Sequence, residues 1–137
     1  PYTQYYDYVI LDTSPGWDNL QINVLFFAQE ILTPVNLEVL SLDGLIEFTH
    51  RIKEVSRYHP VTLKYVLPTA LDRRVKQTDE ILPQLDGHFG KAVCDPIRYN
   101  VRLSEAPAYG QHIFEYDPTS NGARDYMELT RRIVKDE

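Results

Sequence analysis

The chain has 137 residues, of which 43% are hydrophobic and 25% charged, and its formal charge is −6 at pH 7. This composition is typical of one ordinary soluble domain with a substantial core, and no apolar run approaches the ~20 residues that a membrane span needs. The acidic balance argues against a surface that is basic throughout, although a local basic patch is compatible with it.

Strand and helix patterns alternate along the chain, which predicts a parallel sheet covered by helices. The first predicted strand is residues 7–12, an apolar run that reads as fully buried and ends on Asp12. The turn-forming run Thr13-Ser14-Pro15-Gly16 follows it. In open α/β sheets ligands bind where parallel strands end, so Asp12 is a candidate Mg²⁺ ligand, and an ordinary turn residue is the alternative.

The next two elements are a helix and a short strand. Asp18 is placed to cap a helix through about Gln29, with Gln21 three residues later as its capping-box partner. Residues 31–35 are the second predicted strand, in which Pro34 must lie where no ladder donor is required.

The middle of the chain continues the alternation. Apolar residues at helical spacing predict a helix over 41–58, and the third strand follows at 61–69. The pattern over 75–89 predicts a helix that is interrupted or restarted near Pro83 and stopped by Gly90.

A fourth strand is predicted at 92–97, followed by a loop over 98–118 whose length suggests a function. A C-terminal helix capped by Thr119 or Ser120 completes the order. Its apolar stripe predicts packing onto the core rather than onto a membrane surface.

The most specific stretch is residues 100–107, Asn-Val-Arg-Leu-Ser-Glu-Ala-Pro, followed by Tyr-Gly at 109–110 and Glu-Tyr-Asp-Pro at 115–118. Together with the runs 6–12 and 66–69, this stretch resembles the C-terminal half of the ParA/MinD family of deviant P-loop ATPases. The ParA (Soj) branch, which partitions chromosomes and plasmids, is the most similar. The resemblance covers essentially the whole chain. It implies one domain over 1–137, a three-layer α/β fold with a mostly parallel sheet flanked by helices, as the C-terminal part of a longer ATPase domain.

The resemblance also implies roles for single residues. Asp12 would be the Walker B residue that acts on Mg²⁺ through a bound water, and the switch that senses the γ-phosphate of ATP would be Thr13, Ser14, Pro15 and Gly16. The adenine pocket would be lined by Pro68, Thr69, Pro96, Ile97, Arg98, Tyr99 and Asn100. The candidate contacts to DNA phosphates are Lys91, Arg98, Arg102 and Arg124, with a solvated charge or an ion pair as the alternative for each. Ser14 departs from the family, which usually has proline there, and Asn121 stands where relatives carry a basic residue.

The glycine-rich phosphate loop of that family, which carries its catalytic lysine, does not occur in these residues. The six glycines stand apart at 16, 44, 87, 90, 110 and 122. Since phosphoryl transfer depends on that loop and on Mg²⁺, we expect this chain alone not to hydrolyse ATP. The strand that enters the loop would also pair with residues 7–12, so we expect the chain to rearrange, to pair with a second copy, or to be part of a longer protein that does not begin at Pro1.

The resemblance implies an ATP- and Mg²⁺-dependent homodimer that associates with non-specific DNA and a ParB-like centromere-binding protein, in the cytoplasm at the nucleoid and without a membrane. A reducing compartment also suits the lone Cys94, which cannot form an internal disulfide or hold an iron–sulfur cluster. The alternatives are a non-catalytic interaction module of the same fold and a receiver domain phosphorylated on Asp12. The receiver fold needs an acidic pair before Asp12, for which the sequence has no room.

Overall fold

Two parallel strands form the centre of the fold, β1 (Glu30–Asn36) and β2 (Thr62–Thr69). The computed structural model describes residues 5–14, 16–37, 42–72 and 74–136, and only the backbone of residues 76–79. The helices in chain order are α1 (Asn19–Leu25), α2 (Leu42–Val55), α3 (Lys76–Phe89), α4 (Val101–Glu105), α5 (Ile113–Tyr116) and α6 (Asn121–Lys135). The alternating order predicted for an α/β domain is confirmed.

The two strands pair from Glu30 opposite Thr62 to Asn36 opposite Thr69, with one register shift after Ile31. A third extended segment, residues 93–98, lies along the other side of β2. Two parallel bridges hold this segment in place. Val93 pairs with Val66 of β2, and Arg98 pairs with Leu71, which follows β2 in the chain.

The continuous fourth strand predicted at 92–97 is not formed, because proline interrupts its ladder. The N–H of Cys94 donates to the carbonyl of Val66 over 2.8 Å. The next donor in a regular ladder would be the amide of residue 96, which is a proline without an N–H. The pairing resumes one residue later, where the Ile97 N–H donates to the Pro68 carbonyl over 2.9 Å.

Helices cover both faces of this sheet, which gives the three layers predicted. Alternate residues of β2 point to opposite faces, so Val66 packs among α2 and α3 while Tyr65 and Leu67 pack against α6. The α2–α3 side of the core contains Val35, Leu37, Leu45, Val66, Leu71 and Leu85. The α6 side contains Tyr65, Leu67, Cys94 and Ile97, with Tyr126, Leu129 and Ile133 against them.

The strand predicted over residues 7–12 is wrong for this structure. Those residues have no regular secondary structure, and Ile10 is 90% exposed. A buried parallel strand needs ladder partners and cover on both faces. In the part of the chain that the structure describes, β1 and β2 are the only named strands, and they pair with each other. An apolar sequence alone therefore does not place this segment in the sheet.

The structure also refines the predicted helices and the long loop, and α1 ends at Leu25 rather than near Gln29. Asp18 caps α1 by accepting from the Gln21 N–H over 3.0 Å, but the Gln21 side chain donates to the Ser14 carbonyl instead of completing a capping box. Helix α3 runs through Pro83 without a break and ends at Gly90, whose φ is 50°. The long loop contains α4, α5 and a 3₁₀ turn, and Ser120 rather than Thr119 caps α6.

None of the helices in the described ranges is both long and apolar enough to cross a membrane.

Candidate nucleotide-binding edge

The carboxyl end of β2 and the segment 97–99 are fastened together by main-chain hydrogen bonds. The Ile97 N–H donates to Pro68, the Leu71 N–H donates to Ile97 over 3.0 Å, and the Tyr99 N–H donates to Leu71 over 2.9 Å. Ala70, at the turn between them, has a φ of 58°, a left-handed conformation that costs a residue with a Cβ some strain. The backbone at this edge of the sheet is therefore fixed in one arrangement.

An open cavity of about 260 Å³ lies beside this edge. It is lined by Leu71, Asp72, Arg74, Arg98, Tyr99 and Asn121. Its volume is below the roughly 300–1,000 Å³ of a whole small-molecule site, so it suits part of a ligand, such as a nucleobase. Ligands of open α/β sheets bind outside the carboxyl ends of the strands, which is where this cavity lies.

One wall of the cavity carries an ion pair between neighbours in sequence. Arg74 contacts the Asp72 carboxylate with both Nε and Nη2, the shorter contact being 2.6 Å, and its backbone N–H also donates to Asp72. The Arg74 side-chain hydrogen bond, with the backbone one, lowers the pKa of Asp72 to about 2. Asp72 is therefore ionised at neutral pH and balanced by its neighbour.

The second ion pair joins the cavity to α6. The Asp125 carboxylate accepts the backbone N–H of Arg98 over 2.9 Å, its Nε over 3.0 Å and its Nη2 over 2.6 Å. Burial of Asp125 by itself would raise the pKa of this carboxyl, but the side-chain and backbone hydrogen bonds from Arg98 outweigh that effect and lower the pKa. This pair therefore holds a charged carboxylate in a mostly buried position.

The predicted base-contacting residues come together at this edge, but they have different surroundings. Arg98 and Tyr99 line the cavity, and Tyr99 is 55% exposed. Pro68 and Ile97 are buried in the sheet, so their side chains serve packing and their main chains set the edge. The Asn100 side chain caps α4 by accepting from the Arg102 N–H over 2.9 Å. Of the remaining two, Thr69 ends β2, while Pro96 lies at the ladder break.

The predicted switch lies in the irregular segment before α1. Asp12, Thr13 and Ser14 are exposed, and Pro15 lies outside the described residues. Gly16 has a φ of 146°, which a residue with a Cβ rarely adopts. The Mg²⁺ role of Asp12 stays a prediction, and its single carboxylate suits an ion that keeps most of its waters and takes few protein ligands.

Within the described ranges, no three His, Cys, Asp or Glu side chains come together as a metal-ligand group. Mg²⁺ in nucleotide sites is held by one or two carboxylates together with phosphates and waters, so the role predicted for Asp12 does not require such a group.

The distinctive stretch 100–107 forms the compact corner between the cavity and α6. Gly122 of α6 lies against Leu103, so closely that an alanine Cβ there would be 2.7 Å from the Leu103 Cγ. The Tyr116 hydroxyl donates to Glu105 over 3.1 Å and the Tyr116 ring stacks on that of Tyr109. The Gly122–Leu103 contact therefore joins this corner to α6, while the Tyr116 contacts hold α4, the 3₁₀ turn and α5 together.

The four candidate DNA contacts also differ. Arg98 is occupied by Asp125, and Arg102 contacts Glu105 over 2.8 Å and Asp117 over 3.6 Å. Lys91 and Arg124 are exposed, so their charges face solvent.

Five residues of this site were not among those predicted to form it: Leu71, Asp72, Arg74, Asn121 and Asp125. For Asp125, its position offers one signal by which the residue could have been found. It lies in α6 between buried Ala123 and half-buried Tyr126. A carboxylate in such a position needs a partner.

The layered arrangement of parallel strands flanked by helices, with a cavity at their carboxyl edge, is that of a P-loop NTPase-type fold. Residues 1–65 match the model of a family described as an AAA domain. The chromosome partitioning protein ParA of Myxococcus xanthus is 36% identical over 138 residues, which cover 98% of this chain and 49% of that protein. The sporulation initiation inhibitor protein Soj of Bacillus subtilis is 34% identical over 134 residues, which cover 96% of this chain and 53% of Soj.

The chromosome-partitioning ATPase Soj of Thermus thermophilus is 35% identical over 132 residues, 94% of this chain and 53% of that protein. These matches confirm the predicted resemblance: the chain is similar in sequence to the ParA and Soj chromosome-partitioning proteins. The chain spans about half the length of the curated relatives it matches.

Proposed function

We propose that this chain is the C-terminal, base-binding part of a ParA-type partitioning ATPase, which binds ATP with Mg²⁺, dimerises and associates with DNA. The observation that carries the proposal is the cavity between the end of β2 and segment 97–99, in a chain related over nearly its whole length to ParA and Soj. When bound, Mg²⁺ would neutralise phosphate charge, and Asp12 is the residue that we expect to hold it through water.

The residues of the cavity suit a base. The exposed ring of Tyr99 offers a stacking face, and the hydrogen bonds of Leu71 to Ile97 and Tyr99 hold the main chain beside it in one position. Both nearby guanidinium groups, of Arg74 and Arg98, are paired with carboxylates, so the wall is polar without a strong excess of either charge. A neutral heterocycle fits this environment better than a phosphate group.

The test uses the whole polypeptide that carries this chain. ATP affinity in the presence of Mg²⁺ is measured by calorimetry for the unmodified protein, for Tyr99→Ala and for Tyr58→Ala. Tyr58 is the matched control, because it is 81% exposed and does not line the cavity. Loss of a stacked ring is expected to weaken binding about 5- to 100-fold in Tyr99→Ala and to leave Tyr58→Ala unchanged.

Absence of ATP binding by the unmodified protein would refute the proposal. Equal ATP affinities of Tyr99→Ala and Tyr58→Ala would mean that the base does not bind in this cavity. ATP binding without any turnover would favour the non-catalytic interaction module.

DNA association is tested separately, by measuring affinity against salt concentration. A variant that no longer reaches one DNA phosphate should show a salt slope reduced by about one. Lys91→Ala and Arg124→Ala are the informative variants, because these two side chains are exposed, whereas Arg98 is held by Asp125.

A further inference from the structure

Asp125 of α6 controls the position of a cavity residue that lies 27 positions earlier in the chain. Its carboxylate binds Arg98 at three points, which include the backbone N–H and two atoms of the guanidinium group. The Asp125 side chain is only 12% exposed. One carboxylate therefore fixes both the main chain and the side-chain conformation of Arg98.

The neighbours of Arg98 are held from the opposite direction. Ile97 and Tyr99 donate their N–H groups to Pro68 and Leu71, on the β2 side. The N–H of Arg98 is instead directed to Asp125, on the α6 side. Segment 97–99 is thus clamped between the strand and the helix, and Asp125 supplies the hydrogen bonds from α6 to Arg98, beside the apolar packing of α6 on the cluster that contains Ile97.

We propose that Asp125 is a positioning residue of the candidate nucleotide site, which fixes Arg98 and the 97–99 main chain so that the cavity discriminates between purine bases. The proposal rests on the proposed function, because it assumes that a nucleoside triphosphate places its base here. Adenine and guanine differ in the donors and acceptors along their edges, and only a rigid polar wall can reject the wrong pattern.

Without Asp125, two groups at this wall lose their partner: the Arg98 N–H and its guanidinium. Both would turn toward water or toward the cavity, and the segment would have to be ordered again when a ligand binds. Binding of the correct base is then weakened, while binding of the wrong base is weakened less.

The experiment measures Mg²⁺-dependent affinity for ATP and for GTP with the whole polypeptide, by displacement of a fluorescent nucleotide. The variants are Asp125→Ala and Asp125→Asn, the second of which keeps an oxygen for the Arg98 N–H. Two controls lie on the same helix. Glu128→Ala removes an exposed ion pair with Arg131, and Leu129→Ala weakens the packing of α6 on the sheet while leaving the hydrogen bonds between Asp125 and Arg98 in place.

Asp125→Ala is expected to weaken ATP binding about tenfold, the effect of having to immobilise one more side chain, and to lower the ratio of ATP to GTP affinity. Asp125→Asn should lower the ratio of ATP to GTP affinity less than Asp125→Ala does, and neither control should change that ratio. If Asp125→Ala does not fold, the test compares the ratio of ATP to GTP affinity in Asp125→Asn with the ratio in Leu129→Ala.

An unchanged ATP to GTP ratio in the folded Asp125 variants overturns the positioning role, as does an equal change in Leu129→Ala. Unmodified protein that binds neither nucleotide overturns the proposed function itself.

Discussion

Replacing Gly122 by alanine puts a methyl group where α6 meets α4. The new Cβ would lie 2.7 Å from the Cγ of Leu103 and 3.0 Å from both of its Cδ atoms. Carbon atoms pack best at about 3.5–4.0 Å, so the Leu103 side chain or the helix must shift by about 1 Å. Such overpacking costs about 1–3 kcal/mol. Alanine regains about 0.5–1 kcal/mol of helix propensity, so the net expected loss of unfolding free energy is about 1 kcal/mol.

The control for this substitution is Gly87→Ala in α3. Apart from its chain neighbours and the backbone of α3, no atom of the described residues lies within 4 Å of a Cβ at position 87, so the propensity gain acts alone and the variant should be about 0.5–1 kcal/mol more stable. Urea unfolding followed by far-ultraviolet circular dichroism measures both changes. Adding Leu103→Ala to Gly122→Ala should remove the clash and give a double mutant more stable than the sum of the two single effects.

A Gly122→Ala protein at least as stable as the unmodified one, measured alongside a stabilised Gly87→Ala protein, would refute the close approach of α6 to Leu103. The same conclusion would follow if the double mutant showed no coupling between the two positions.

Leu85→Ala should cost about 2–5 kcal/mol of unfolding free energy, because Leu85 is 0% exposed in the core, and a loss below about 1 kcal/mol in urea unfolding would contradict that packing. Asp125→Asn should cost about 1–3 kcal/mol near neutral pH, where the lowered pKa keeps the carboxylate charged against Arg98. That stability is present above the ordinary pKa of 3.8 and is lost as the pH falls through the lower folded-state pKa, so the gap to the unmodified protein should close below about pH 4. If the difference in unfolding free energy between Asp125→Asn and the unmodified protein did not change with pH, the charge pairing of Asp125 with Arg98 would be contradicted. Asp12→Ala should reduce Mg²⁺-dependent ATP turnover of the whole polypeptide by about 10²-fold or more, with Asp7→Ala as the unaffected neighbour, and unchanged turnover would refute the metal role.

Local signals in the sequence predicted most of the elements. Gly90 ends α3 with a positive φ, Asp18 caps α1, and Ser120 caps α6. Each depends on a residue and its immediate neighbours, so the sequence contains the whole cause.

The failed predictions depend on neighbours distant in sequence. Residues 7–12 have the composition of a central strand, yet a strand forms only where other strands offer hydrogen bonds. The break in the fourth strand arises because Pro96 falls at a donor position, and that register becomes known only when Cys94 is seen opposite Val66.

The sequence predicted some of the residues at the candidate site, but not the contacts that hold them in place. The resemblance brought Arg98 and Tyr99 to the cavity, but not the partner that holds Arg98 in place. Asp125 is 27 residues away, and a side-chain pair of that separation leaves no periodic trace in a single sequence. It belongs to the tertiary packing of α6 on the edge of the sheet.

The position of α6 in the chain bears on how the molecule is made. The ribosome synthesises both strands and segment 93–98 before α6, so the apolar face with Tyr65 and Leu67 has no cover while the nascent chain lengthens. Because α6 also supplies the anchor of Arg98, the packing of α6 that covers this face also brings Asp125 to the cavity wall. Synthesis of α6 therefore supplies part of the hydrophobic layer and part of the candidate ligand-binding edge at once.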